Sequence, residues 1–130
     1  MSYRDLEVWK RGMDLAEAVC LIARQLPESE RYGLAQQMRR SAVSIPSCIA
    51  EGRARLSTRE FVRFIAMALA SLAELETQLM LAKRLRLTAA EVEHTLQAAD
   101  ELGRMMQALR KTLDRKVNLA ELPPTERPNR

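Results

Sequence analysis

Leu6, Trp9, Met13, Ala16, Cys20 and Ala23 recur at alternating intervals of three and four, with a second apolar row at Leu15, Val19, Ile22 and Leu26 beside them. That spacing predicts an amphipathic helix with Asp5 as N-cap, ended by Pro27. After the turn "PESE", with Ser29 as the next N-cap, Leu34, Met38, Ser41, Ile45, Cys48 and Ile49 predict a helix from Glu30 to Glu51. Gly52 then reads as the left-handed residue just past its C-cap.

The third helix opens on a capping box, Ser57 with Glu60 three residues on. Phe61, Ile65, Ala68, Leu72, Leu75, Leu79 and Ala82 follow in four-three spacing, the seam of a bundle or coiled coil. "FIAMALASLAEL" is apolar almost all round, so this helix is expected to be covered on a second side, most simply by another subunit. Thr88 and Glu91 form a second box ahead of Val92, Leu96, Ala99, Leu102, Met106, Leu109, Leu113 and Val117. Short connections between four such helices predict an all-α, antiparallel up-down-up-down four-helix bundle over residues 1–118, with 119–130 a proline-containing tail.

Composition narrows the class. The 130 residues suit one domain with one core, and 47% apolar content with few aromatics and glycines is what a helical protein uses. No run of 18 uncharged apolar residues and no signal-type N-terminus occurs, which predicts a cytoplasmic protein away from membranes. Cys20 and Cys48 are too far apart for a metal or redox motif and read as small core groups. Of the net charge of +4, all is carried between Arg39 and Arg63, where Arg39, Arg40, Arg53, Arg55, Arg59 and Arg63 face only Glu51 and Glu60. Lys83, Arg84 and Arg86 add cations at the end of the third helix, so a basic patch is expected.

Residues 44–52, "SIPSCIAEG", hold the least ordinary local chemistry. Pro46 inside a helix deprives the Ala42 carbonyl of its donor at a cost of about 3 kcal/mol. Ser41, Ser44 and Ser47 are placed to repair it or to meet a facing helix. Glu51 stands at a helix C-terminus, where the dipole disfavours it, and Arg53, Arg55 and Arg59 are near enough to compensate. The row Ser71, Glu74, Gln78 on the third helix is expected to meet Ser44 or Glu51, inside the bundle or across a subunit contact, with Glu74→Ala lowering stability or mass.

With "DLEVW", "GLAQQMRRSAVSIPSCIAEG" and "SLAELETQL" in place, residues 3 to 87 resemble the bacterial four-helix-bundle family of 23S rRNA intervening-sequence proteins. The matching positions are Leu6 and Trp9; Glu30, Gly33, Leu34, Gln37, Arg39, Arg40, Ser44, Ile45, Pro46, Ile49, Ala50, Glu51 and Gly52; and Ser57, Glu60, Phe61, Ser71, Leu72, Glu74, Leu75 and Glu76. Cys48 stands where the family usually has Asn, and Ala70 where it usually has Gly. The resemblance implies a cytoplasmic bundle assembling as a ring-shaped homopentamer. It is similar also to the accessory variability proteins of retroelements, basic pentameric barrels that bind RNA and a reverse transcriptase.

Two functions follow as expectations. The first is a non-enzymatic oligomer that binds RNA or DNA through Arg39, Arg40, Arg53, Arg55, Arg59, Arg63, Lys83, Arg84 and Arg86, repeated by symmetry and directed at the phosphate backbone. The second is a protein-interaction scaffold that uses the surplus apolar surface. Catalysis has little to stand on: His94 is the one histidine, "EVEHTL" supplies a single Glu-x-x-His motif, and no phosphate loop or nucleophile elbow occurs. No cofactor or metal is expected.

Overall fold

A computed structural model describes residues 2–128, and the last two tail positions, 129 and 130, lie outside them. Four helices carry the fold: α1 (Glu7–Arg24), α2 (Leu34–Ala54), α3 (Thr58–Arg84) and α4 (Val92–Glu121). Each packs on the next in chain order and α1 closes on α4, while among the described residues the backbones of α1 and α3, and of α2 and α4, stay apart. This is a four-sided all-α packing around one core. Met38, Ile45, Ile49, Ile65, Leu75, Leu79, Leu102 and Met106 are almost fully buried at its centre.

The boundaries differ from the sequence expectation in instructive ways. Asp5 does not cap α1; it belongs to a preceding 3₁₀ turn, Tyr3–Asp5, where Ser2 and Asp5 form a reciprocal capping box. Leu6 stands at the cap of α1 without a side-chain bond. In α1 the second row, Leu15, Val19 and Ile22, is buried together with Val8, and of the first row Ala16 and Ala23 are buried, whereas Trp9 and Cys20 are half-buried and Met13 is 47% exposed. Segment Glu28–Glu30 winds as a 3₁₀ turn, and α2 begins only at Leu34.

Gly52 is the main correction. It lies inside α2, which continues to Ala54, and no glycine among the described residues has positive φ. A Cβ there would stand 2.5 Å from the Cβ of Phe64 and 3.1 Å from Cδ1 of Phe61. Gly52 is therefore needed for contact between α2 and α3, not for chain reversal. Pro46 has a similar explanation: it is buried against Gly12 of α1, whose added Cβ would lie 3.5 Å from the proline Cβ. The serines do not repair the lost backbone bond by any hydrogen bond seen among the described residues. Ser44 turns to α3 instead, with its Oγ 2.9 Å from Ser71 Oγ and 3.6 Å from Cys48 Sγ.

Ser57 caps α3 as expected, accepting from the Glu60 amide at 3.3 Å. The Glu60 carboxylate does not return to close the box, because it accepts from Arg63 Nε at 2.8 Å. Thr88 and Glu91 form no box either: Thr88 Oγ1 accepts from the Ala90 amide, and α4 starts at Val92. Helix α3 ends in a Schellman arrangement, the Leu87 amide on the Ala82 carbonyl and the Arg86 amide on the Lys83 carbonyl. The left-handed position falls on Arg86, at φ 54°, where glycine is usual.

Helix α4 runs past the expected end at Asn118, so the tail starts at Leu122. Arg127 folds back and donates to the carbonyls of Leu122 and Ala120, each at 2.8 Å. These bonds satisfy helix-end acceptors that would otherwise be left to water.

Helix α3 is the one helix among the described residues long and apolar enough to cross a membrane, with mean hydropathy 1.4 over its richest window. That window is only one-third buried in the bundle. Its outward side carries Met67, Ala70 and Leu81 around Glu74 and Thr77, again in four-three spacing. The sequence expectation of a surplus apolar face therefore has a definite location.

Candidate nucleic-acid interface

The nine predicted cations fall into two groups. Arg39 and Arg40 lie early on α2, and Arg53 lies in its last turn, about 20 Å further along at 1.5 Å per residue. Gly52 packs on Phe61 and Phe64, so Arg53 and Arg55 share one end of the molecule with Arg59 and Arg63. Lys83, Arg84 and Arg86 close α3 far from that end. What reads as one basic segment is thus split by the length of a helix.

Pairing thins the charge further. Glu51 is exposed and pairs with Arg55 at 3.9 Å, so among the expected arginines it is Arg55 that offsets its position near the helix end. Arg63 is held by Glu60 at 2.8 Å. Two partners come from α4, which the sequence could not place: Glu121 pairs with Arg59, and Glu93 with Lys83. Arg39 donates to the Arg31 carbonyl at 3.2 Å. Arg40, Arg53, Arg84 and Arg86 have no carboxylate partner among the described residues. Exposed pairs of this kind contribute little to stability, and their arginines remain available to an anion.

Phe64 organises the α2–α3 end. The guanidiniums of Arg55 and Arg63 each stand 5.2 Å from the centre of its ring, so they are no farther apart than twice that distance. Stacking holds two flexible cations in place before a ligand arrives. The Arg59–Glu121 pair also brings the last turns of α4 alongside, and these carry exposed Lys111, Arg115 and Lys116 without carboxylate partners among the described residues. Nothing in their sequence spacing links these three to the arginine segment. The packing of α4 on α3 is what brings their helix to the arginine cluster, through Glu121 on Arg59.

The family-motif positions take defined places. Ser44 and Ser71 join α2 to α3, with buried Cys48 completing the row through sulfur. Gln78 is partly covered and its Oε1 is buried without a partner among the described residues. Glu74 does not join this row; it is exposed on the outer face of α3. The adjacent Glu76 is different. It lies half-buried between α3 and α4, where burial first and the charge of Asp100 second push its carboxyl above its ordinary value of 4.5.

No three His, Cys, Asp or Glu side chains are gathered as a metal site among the described residues. His94 is exposed on α4, next to a shallow groove it shares with Glu91 and Glu93.

The sequence profile of the 23S rRNA-intervening sequence protein family matches residues 4–108. The chain belongs to this family. The match covers α1 to α3 and the first half of α4, further than the motifs at residues 3 to 87 reach. Lys111, Arg115, Lys116 and Glu121 lie beyond the part that the 23S rRNA-intervening sequence profile describes. A comparison with curated proteins gives no match to this chain.

Proposed function

We propose that this member of the family is a non-enzymatic, cytoplasmic, homo-oligomeric bundle, up-down-up-down in topology, that binds RNA or other nucleic acid through its basic surface. The observation that carries the reading is the cluster of cations at one end: Arg53, with no carboxylate partner among the described residues, and the exposed Arg55 and Arg63 on the Phe64 ring, with Lys111, Arg115 and Lys116 on the last turns of the helix whose Glu121 meets Arg59. Such groups neutralise phosphates with little regard to sequence. The topology is supported by ion pairs at both ends of α3 and α4, Arg59 with Glu121 and Lys83 with Glu93.

Assembly, with a ring-shaped pentamer favoured, draws support from the outer face of α3. Met67 and Leu81 are each 44% exposed there and Met80 49%, on a helix rich in small residues that allow close approach. Repetition of the basic surface around a closed oligomer turns modest contacts into strong binding.

A second reading, a protein-interaction scaffold, is favoured by a shallow apolar groove of about 720 Å³ between α1 and α2, lined by Trp9, Met13, Val43, Pro46 and Ala50 among others. Fluorescence anisotropy with a labelled structured RNA and a labelled duplex DNA, each at two salt concentrations, separates the two. Binding that weakens steeply with salt supports the first reading. A folded protein that binds neither probe at low salt supports the scaffold.

A further inference from the structure

At the far end of the molecule from Phe64, the end of α1 and the start of α2 enclose a cleft of about 500 Å³. Its floor is apolar, with Ala23, Leu26 and Ala35. Three arginines line it, Arg24, Arg31 and Arg39, with Glu28 the one acidic residue. Arg31 is 3.4 Å from Glu28, and Arg39 is tied to the Arg31 carbonyl at 3.2 Å, while Arg24 pairs with no carboxylate among the described residues. A concave arrangement of like charges concentrates their field on whatever enters. Tyr32, the residue after Arg31, is 79% exposed, and its ring lies 5.4 Å from the Arg31 guanidinium.

We propose that this cleft binds a nucleotide, with its phosphate on Arg24 and Arg39, its ring system on the apolar floor, and Tyr32 with Arg31 closing the rim. The volume suits one small ligand, and planar guanidiniums recognise phosphate in a fixed geometry. The exposed tyrosine carries a cation against its face, an arrangement on which an aromatic base stacks. The ligand is a free nucleotide or one residue of a strand, and the strand-bound form rests on the nucleic-acid reading above. Neither Arg24 nor Arg31 lies in the arginine segment that the sequence singles out, because they are brought to Arg39 by the turn between α1 and α2.

The test is calorimetric titration of the full chain with adenosine 5′-monophosphate, with inorganic phosphate, and with a short 5′-phosphorylated single-stranded RNA. Saturable binding of the nucleotide, weakened about tenfold or more by Arg24→Gln and about fivefold or more by Tyr32→Ala, is the expected result. Arg115→Gln, at the other end, should leave it unchanged. Both informative variants alter exposed side chains, so they should fold; Arg39→Gln is avoided because it breaks the bond to Arg31. Tighter binding of the RNA than of the nucleotide identifies the strand as the source, and the reverse identifies the free nucleotide.

The proposal is overturned if the nucleotide and the RNA both fail to bind, if inorganic phosphate binds as tightly as the nucleotide, or if binding is indifferent to Arg24 and Tyr32. Failure of the cleft is distinguishable from failure of the proposed function. Structured RNA that binds while the nucleotide and the short RNA do not occupy the cleft sinks the cleft alone. A nucleotide that binds when structured RNA does not sinks the nucleic-acid reading alone.

Discussion

Replacing Gly52 with alanine tests why α2 and α3 meet as they do. In the structure the new Cβ would be 2.5 Å from the Cβ of Phe64, and both atoms are fixed to helix backbones, so no rotamer change relieves the contact. Ordinary contact needs more than an ångström of separation, and a gap of that size forfeits a quarter to a half of the local dispersion energy. Overpacking of this severity costs about 3 kcal/mol, offset by about 1 kcal/mol from the better helix propensity of alanine. The net loss of about 2 kcal/mol lowers the Tm of a chain this size by about 7 °C, measured by circular dichroism. Gly52→Asn decides between this account and a left-handed helix end. Asparagine tolerates the left-handed conformation, so at a true C-terminal cap it would do less harm than alanine, whereas at a close-packed site its greater bulk does more. A smaller loss with asparagine than with alanine would refute the packing argument.

Arg86→Gly should raise the Tm by about 4 °C, since about 1 kcal/mol of left-handed strain at φ 54° is removed; a fall would show that the arginine side chain stabilises the turn. Glu76 binds its proton more tightly folded than unfolded, so its contribution to stability is lost as pH rises from 4.5 through the raised value. Glu76→Gln should therefore gain on the wild type in thermal melts as pH goes from 4 to 7, and a constant difference would contradict the burial of that carboxyl. Glu74 is exposed and held by nothing within the protomer, so Glu74→Ala should leave the Tm within about 2 °C at concentrations where the chain is monomeric. Met67→Glu combined with Leu81→Glu should lower the mass in sedimentation while helix content is kept; unchanged mass would remove the outer face of α3 from the assembly.

The four helices were legible because their apolar spacing is regular over many turns, and the α3 seam was read residue for residue. Periodicity alone could not rank two adjacent rows on α1. Leu6, Trp9 and Met13 fit a core stripe as well as Val8, Leu15 and Val19 do, and only the positions of α2 and α4 decide which row is covered. Gly52 was misread for a related reason: glycine after a glutamate near a helix end has the local signature of a cap, and the demand that excludes a side chain comes from Phe64 on another helix. The basic surface was half visible. The arginines near Phe64 are close in sequence, but Glu121, the partner of Arg59, and with it the last turns of α4 reach that end through tertiary packing. Cleft residues Arg24, Arg31 and Arg39 are likewise joined by a turn rather than by a motif.

Sedimentation velocity of a labelled structured RNA with the protein in slight excess, at low salt, tests directly whether an oligomer of this bundle assembles on nucleic acid. The expected result is one fast species whose mass equals the RNA plus several copies of the chain, and which dissociates when salt is raised. RNA that sediments at its free rate beside folded protein would contradict the account.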